Sequence, residues 1–261
     1  MKLTSLFILL LLVISSCNSE ENELPKVDEN LFRSDYPEGE ALFDYKDSVD
    51  RLENFVNLLS LEFTSDQGVR ISSSAKLDSL GTVQVIKLHT EYENSIDEEV
   101  FYYKGGMKFI SFKSRTQFEA DHNYYSETIS FYTDTGNVIY SGIRNGIDPD
   151  TLELLRYSKI EPVTDDDNLA LQLLKQEGPF QTNFLGTAFA EEQEKLFIVV
   201  GALDRSFTST LAVNEQIDFI DDLIENEEKY KGRELKIEFM HTTQTDGFSF
   251  QTLLNAELLQ K

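Results

Sequence analysis

The chain has 261 residues, and its 47 aspartates and glutamates outnumber its 23 lysines and arginines, which gives a formal net charge of −24 at pH 7. Binding to nucleic acid or to anionic lipid headgroups depends on basic patches, and the sequence contains none, so we predict no nucleic-acid partner. The single cysteine excludes intramolecular disulfide bonds, and stability must therefore come from packed apolar cores.

The N-terminus has the pattern of a secretory signal over residues 1–16. Lys2 supplies a positive charge, and the apolar run from Leu6 to Ile14 is too short to span a membrane. Ile14-Ser15-Ser16-Cys17 resembles the lipobox of bacterial lipoproteins, although leucine is more usual than isoleucine at its first position. The resemblance implies that Cys17 carries a diacylglycerol and an acyl chain such as palmitate, enough for stable anchoring. The alternative is a secretory signal cut near Ser16, with Cys17 left as a free thiol.

A polar, acidic stretch follows this cysteine. Asn18 to Glu23 contain no apolar residue, so we predict that residues 17–40 form a flexible tether. The Ser19-Glu20-Glu21 run also resembles the acidic signals with which some Gram-negative bacteria move lipoproteins to the cell surface. The sequence thus predicts a protein that is anchored by lipid in the outer membrane and is either periplasmic or surface-exposed.

Residues 41–163 are predicted to form a helix followed by an antiparallel sheet, an α+β arrangement. Apolar residues recur at three- and four-residue steps from Tyr45 to Phe63, which is typical of an amphipathic helix, with Asp44 as its N-cap. Strands are predicted over 83–88, 99–104, 107–113, 127–133 and 138–143, with an edge strand within 152–160. Tight turns between consecutive strands predict a β-meander that one helix covers. The unit from Phe131 to Gly136 resembles those of small uncharacterised bacterial lipoproteins, a resemblance that carries no functional residues.

The two hairpins of this sheet suggest a binding patch. A two-residue loop at Gly105-Gly106 makes both faces of the first hairpin apolar, so the face that the helix leaves open must meet something else. In the second hairpin, pairing of Thr133 with Val138 puts four residues on that face: Tyr132, Ile139, Ser130 and Ser141. We interpret them as a candidate partner or ligand patch, because tyrosine beside small polar residues suits a partly hydrated surface. The alternative is that the C-terminal domain packs there.

A linker helix over 164–179 and a second, mostly β domain over 180–261 are predicted next. Asp165 to Asp167 precede a helix over 168–176, which Gly178-Pro179 ends. Strands over 184–190, 196–202 and 207–213, a helix over 217–230, and strands over 234–242 and 247–254 follow. This order resembles that of an OB-fold barrel, as does the Lys231-Gly232-Arg233 turn into the fourth strand. An open sheet with one helix is the competing architecture.

OB-folds bind nucleic acids or sugars through aromatic residues on strand faces, which would make Phe184, Phe207 and Phe239 ligand contacts. The chain from Pro179 onward is acidic, the wrong sign for a phosphate backbone. Core packing is therefore the preferred interpretation of these phenylalanines.

No catalytic or metal-binding motif is recognisable. The three histidines, His89, His122 and His241, lack the spacing of a zinc site. Asp148, Asp150 and the Asp165–Asp167 run lack the spacing of a calcium loop and are explained as turn and cap residues. We predict no cofactor, no metal and no enzymatic activity, and the leading hypothesis is a binding module for a protein or a small envelope ligand. The alternatives are an accessory or assembly subunit of an outer-membrane machine and, less favoured, a hydrolase with an unrecognised active site.

Overall fold

The structure is a computed structural model that describes residues 33–191, 194–213, 218–243 and 249–259. The predicted signal peptide, Cys17 and most of the predicted tether lie outside these residues. All the described residues belong to one compact unit, Phe32–Lys261. The fold is α+β, as predicted, and the predicted domain boundary at 164–179 stays a prediction.

The helices of the described residues are α1 (Glu40–Asp50), α2 (Pro149–Leu152), α3 (Asn168–Lys175), α4 (Asp218–Glu225) and α5 (Glu227–Tyr230). The strands up to the linker are β1 (Val56–Leu59), β2 (Phe63–Ser65), β3 (Arg70–Leu77), β4 (Val83–Glu91), β5 (Ser95–Lys104), β6 (Met107–Phe118), β7 (Asn123–Tyr132), β8 (Val138–Gly146) and β9 (Ser158–Ile160). The strands after it are β10 (Asn183–Ala190), β11 (Lys195–Gly201), β12 (Phe207–Val213), β13 (Leu235–Thr243) and β14 (Ser249–Leu258).

The predicted meander is present, since each strand from β3 to β8 pairs antiparallel with the next and β9 follows on the edge of β8. The other edge of β3 carries two short strands, with β2 beside Arg70 and Ile71 and β1 beside Ser74 to Leu77. The outer edge of β2 pairs with β12. The strands before and after the linker therefore share one sheet.

The C-terminal strands have the OB-like order. β10, β11 and β12 pair in sequence, β14 lies parallel to β12, and β13 pairs antiparallel with β14. A bridge between Asn183 and Glu234 joins the first of these strands to the entry of the fourth. This order, with helices α4 and α5 between the third and fourth strands, is that of a five-stranded OB barrel. The pairing of β12 with β2 is an addition that the sequence did not predict.

Two apolar cores lie on opposite faces of the meander. The first core lies under α1, where Phe43 packs edge-to-face on Phe131 with ring centroids 5.5 Å apart. The second core lies under α3 and α4 and takes residues from both halves of the chain, such as Phe63 beside Phe180, with centroids 5.3 Å apart. Both faces of the first hairpin are thus covered within the chain itself.

The first helix is shorter than predicted, and the prediction of a single helix to Phe63 is wrong. α1 begins at Glu40 and ends at Asp50, so Asp44 lies inside the helix and is not its N-cap. Four of the apolar residues after Asp50 lie in two short strands, Val56, Leu58 and Leu59 in β1 and Phe63 in β2, and both strands pair on one side with the edge of β3. Short apolar runs fit helical and strand periods equally well, and here the open edge of β3 decides the outcome.

Candidate functional site

Three of the four residues in the predicted patch are buried, which corrects that prediction. Ser130 and Ser141 are fully buried and Tyr132 is 4% exposed, whereas Ile139 is 42% exposed. Ser130 pairs with Ser141 as predicted, but the register shifts by one residue before Tyr132 pairs with Val138, which leaves Ile139 as the extra residue. The patch is therefore an internal contact surface, closer to the predicted alternative in which the chain packs on this face.

The segment Val163–Asp167 covers this face through hydrogen bonds. Val163 N–H donates to Ser141 Oγ at 2.8 Å, and Ser130 Oγ donates to Val163 O at 2.9 Å. Asp165 N–H donates to the Tyr132 hydroxyl at 3.3 Å, and its carboxylate accepts a hydrogen bond from the Ser111 hydroxyl. The hydroxyls of Ser130, Ser141 and Tyr132, which would suit a hydrated surface, therefore form hydrogen bonds with this segment instead of with water.

Lys108 and Tyr103 also form hydrogen bonds with the segment Val163–Asp167. Lys108 Nζ donates to Asp165 O at 2.6 Å and lies 4.8 Å from the centroid of the Tyr132 ring, while the Tyr103 hydroxyl donates to the Asp167 carboxylate. Burial, reinforced by the Asp165 carboxylate, raises the pKa of Tyr132 to about 12. Tyr132 therefore stays a neutral hydroxyl near pH 7, and the acidic run at 165–167 acts as a structural anchor.

An open cleft of about 390 Å³ lies on the OB-like strands. Its aromatic walls are Phe189 at the end of β10, Phe197 on β11 and Phe250 on β14. Phe189 is 62% exposed, a large apolar surface for a side chain beside a cleft. The polar lining comes from Glu62, Thr210, His241, Ser249 and Gln251.

The phenylalanines named from the sequence lie elsewhere. Phe184 is fully buried in the second core, Phe207 packs on Phe180 with centroids 4.9 Å apart, and Phe239 packs against the same core. The interpretation of these three as core residues is confirmed. No sequence signal pointed to Phe197, because Leu196 to Val200 are all apolar. In the structure Ile198 and Val200 are buried, which places Phe197 on the opposite face of β11. Phe189 precedes a loop, where alternation gives no signal either.

Gln251 forms a fixed polar floor under the cleft. Its Oε1 accepts a hydrogen bond from Glu62 N–H at 2.7 Å, and its Nε2 donates to Ser209 Oγ at 2.9 Å. One side chain thus joins β14 and β12 to the residue before β2. On the rim, Lys195 Nζ lies 4.6 Å from the centroid of the Phe250 ring. The polar side of the cleft is therefore held in place by hydrogen bonds between strands rather than by a loop.

This cleft lies where OB-folds carry their ligands, on the face of the second and third strands beside two loops. Those loops connect β10 to β11 and β13 to β14, and residues 192–193 and 244–248 within them lie outside the described residues. Hydroxyl pairs fix the ends of the second loop, with Thr242 Oγ1 at 2.7 Å from Thr252 Oγ1 and Thr243 Oγ1 at 2.9 Å from Ser249 Oγ.

The three histidines do not all lie at one site. His241 lines the aromatic cleft and also, with His89, a neighbouring cleft of about 310 Å³, whereas His122 packs on Tyr124 at the far end of the meander. Among the described residues, no group of three or more histidines, aspartates and glutamates is arranged to hold a metal ion. None of the helices that these residues form is long and apolar enough to cross a membrane.

Comparisons with protein-family models, with curated proteins and with solved structures find no match to this chain. The class is therefore defined by the strand order alone: an α+β protein with a long meander joined to OB-like strands.

Proposed function

We propose that this protein is a lipid-anchored component of the bacterial outer membrane, acylated at Cys17, and that it is a binding module rather than an enzyme. The lipobox resemblance at Ile14 to Cys17 supports the anchor. The observation that supports the binding function is the aromatic cleft, formed by three phenylalanines over a fixed polar floor. A cleft of this size is in the range that small ligands occupy.

The ligand class that suits the cleft is a neutral oligosaccharide. Sugar rings present apolar faces that stack on phenylalanine, and their hydroxyls can bond to Thr210, Ser249 and His241 on the polar side. A nucleic acid would offer stacking bases as well, but the net charge of −24 repels a phosphate backbone.

The distribution of perturbed titratable groups favours binding over catalysis. Enzyme clefts concentrate acids and bases with shifted pKa values. Here, burial and a neighbouring carboxylate strongly raise the pKa values of Tyr102, Tyr103 and Tyr157, and all three lie in the cores of the meander. They donate structural hydrogen bonds and do not line the cleft.

Replacing an aromatic wall tests the proposal. We expect Phe189→Ala to weaken binding of neutral oligosaccharides at least about 5-fold, if stacking of a sugar face on the ring contributes as much as stacking of a nucleobase on an aromatic side chain, roughly 1–3 kcal/mol. Isothermal titration calorimetry with soluble fragments of glucans, mannans and chitin measures the change. Leu80→Ala is the matched control, since Leu80 is 89% exposed in the turn between β3 and β4. Equal affinity of both variants, or binding of single-stranded DNA in place of any sugar, would contradict the proposal.

A further inference from the structure

Strand β1 has an edge that no described residue pairs with. It pairs with β3 on one side, from Val56 opposite Leu77 to Leu59 opposite Ser74. All four of its residues are exposed, and three of them are apolar, with Val56 58% exposed. An apolar edge strand is a template for another strand, and soluble proteins normally protect such edges.

The hydrogen-bond pattern shows which backbone N–H and C=O groups of β1 point away from β3. Ser60 N–H donates to Ser73 O at 2.8 Å, so the backbone groups of Ser60 point towards β3. Directions alternate along an antiparallel strand, and the N–H and C=O groups of Asn57 and Leu59 must therefore point away from β3. These two residues present two donors and two acceptors in the spacing that an added strand requires.

The other outer strands are protected. Thr187 N–H on β10 donates to the Glu227 carboxylate at 3.2 Å, and Gly232 N–H donates to Phe184 O at 2.7 Å. On β9, Lys159 is exposed and its N–H donates to the Asp35 carboxylate at 3.3 Å, and β13 carries the exposed charges of Lys236 and Glu238. The residues of β1, Val-Asn-Leu-Leu, include neither a charge nor a proline.

Both faces of β1 offer surface to the side chains of an added strand. Val56 and Leu58 lie opposite Leu77 and Ala75 and so continue the apolar surface of the second core to its rim. On the other face, Leu59 borders the cleft of about 310 Å³, which also contains His89 and Glu98. In strand addition the backbone supplies affinity, and such pockets for alternate side chains supply specificity.

We propose that β1 captures an extended segment of a partner protein, which adds to the sheet as a new strand beside Asn57 and Leu59. The partner segment has apolar side chains at alternate positions and carries positive charge, because this chain has 47 acidic against 23 basic residues. A second copy of the chain is a poorer occupant, since two molecules with a net charge of −24 repel each other. This activity is distinct from ligand binding in the aromatic cleft, although His241 lines both that cleft and the one that Leu59 borders.

The test uses the full-length chain in detergent and a fluorescent synthetic peptide in which valine and threonine alternate between terminal lysines. We expect saturable binding by fluorescence anisotropy, and at least about a fivefold loss of affinity in Asn57→Pro, which removes one outward donor. Asn57→Ala keeps that donor and should bind like the wild type. A peptide with glutamates in place of the lysines should bind more weakly.

Hydrogen exchange on the wild-type chain keeps the test decisive if Asn57→Pro does not fold. Peptide binding should slow exchange of the Asn57 and Leu59 amides and leave the Gly105 amide in the meander turn unchanged. Absence of peptide binding, unchanged exchange at Asn57 and Leu59, or equal affinity of folded Asn57→Pro would overturn the proposal. So would dimerisation in analytical ultracentrifugation that Asn57→Pro abolishes, because a second copy would then be the occupant.

Discussion

Tyr132 shows how a distant segment determines the role of a side chain. Its tyrosine and serine neighbourhood predicted a hydrated patch, but the linker at 163–167 uses those hydroxyls as its own hydrogen-bond partners. Nothing near Tyr132 in the sequence indicates this, since the covering residues follow some thirty positions later. Local pattern could identify the face on which Tyr132 lies, but not what covers it.

Truncation of Tyr132 should therefore destabilise the fold. We expect Tyr132→Ala to reduce the free energy of unfolding by about 3–5 kcal/mol, the range for a buried aromatic residue. Urea unfolding followed by circular dichroism measures it. Tyr124→Ala is the control, because Tyr124 is exposed and its loss should cost less than about 1 kcal/mol. A loss for Tyr132→Ala as small as that of the control would restore the interpretation of Tyr132 as a surface residue.

Arg33 ties the start of the described chain to α1, and this contact should make stability depend on pH. Arg33 bonds to Glu40 at 3.0 Å and to Asp47 at 2.8 Å. Burial alone would raise the pKa of Asp47, but the bond from Arg33 and the nearby charge of Lys46 outweigh it, so the pKa is lowered. The folded state thus holds the Asp47 proton less tightly than the unfolded state does.

A group with a lowered pKa stabilises the fold above its unfolded pKa, near 4, and loses that contribution as pH falls through the folded value. We expect the melting temperature to fall between about pH 5 and pH 3, and to fall less steeply in Asp47→Asn. Differential scanning fluorimetry across this range measures both slopes. Identical slopes would show that Asp47 makes no such contribution.

At the scale of elements, periodicity predicted strands β4 to β8 and a helix over 168–176, which in the structure ends at Lys175. It missed β3 and misassigned residues 51–63. The strands were predictable because β-branched and aromatic residues alternate between clear turns at Gly105-Gly106 and at Gly136. The two short strands after Asp50 were not predictable, because the spacing of their apolar residues also fits a helix. Only their pairing with the edge of β3 favours strands. Likewise, OB-like order was readable, while the pairing of β12 with β2 depends on contacts between residues far apart in sequence.

The linker segment 163–167 should depend on Lys108 for its position. Lys108 Nζ bonds to Asp165 O and, at 3.3 Å, to the Asp167 carboxylate. We expect Lys108→Ala to release the segment and to speed cleavage there by proteinase K several-fold, because proteolysis follows local opening. Lys104→Ala is the control, since Lys104 is exposed at the end of β5. Unchanged cleavage in Lys108→Ala would mean that the serine and tyrosine hydroxyls suffice to hold the segment.

At the scale of the whole molecule, we propose a lipid-anchored protein whose sheet offers two surfaces to partners. The OB-like strands that carry the aromatic cleft join the meander where β12 pairs with β2, and β1 and β2 lie on the same edge of β3. His241 lines both the aromatic cleft and the cleft beside β1. The second core draws on both halves of the chain through contacts such as Phe63 with Phe180, so both surfaces rest on one shared core.

The central claim is that lipid at Cys17 places these surfaces at the membrane, and the Cys17→Ser variant tests it most directly. Intact-mass spectrometry of the membrane fraction should find wild-type chain that begins at Cys17 and carries a diacylglycerol and an acyl chain. Cys17→Ser should yield only an uncleaved precursor or a soluble, unacylated form, because serine has no thiol for the thioether bond. A mature, acylated Cys17→Ser chain in the membrane fraction, or wild-type chain with an unmodified N-terminus, would contradict the account.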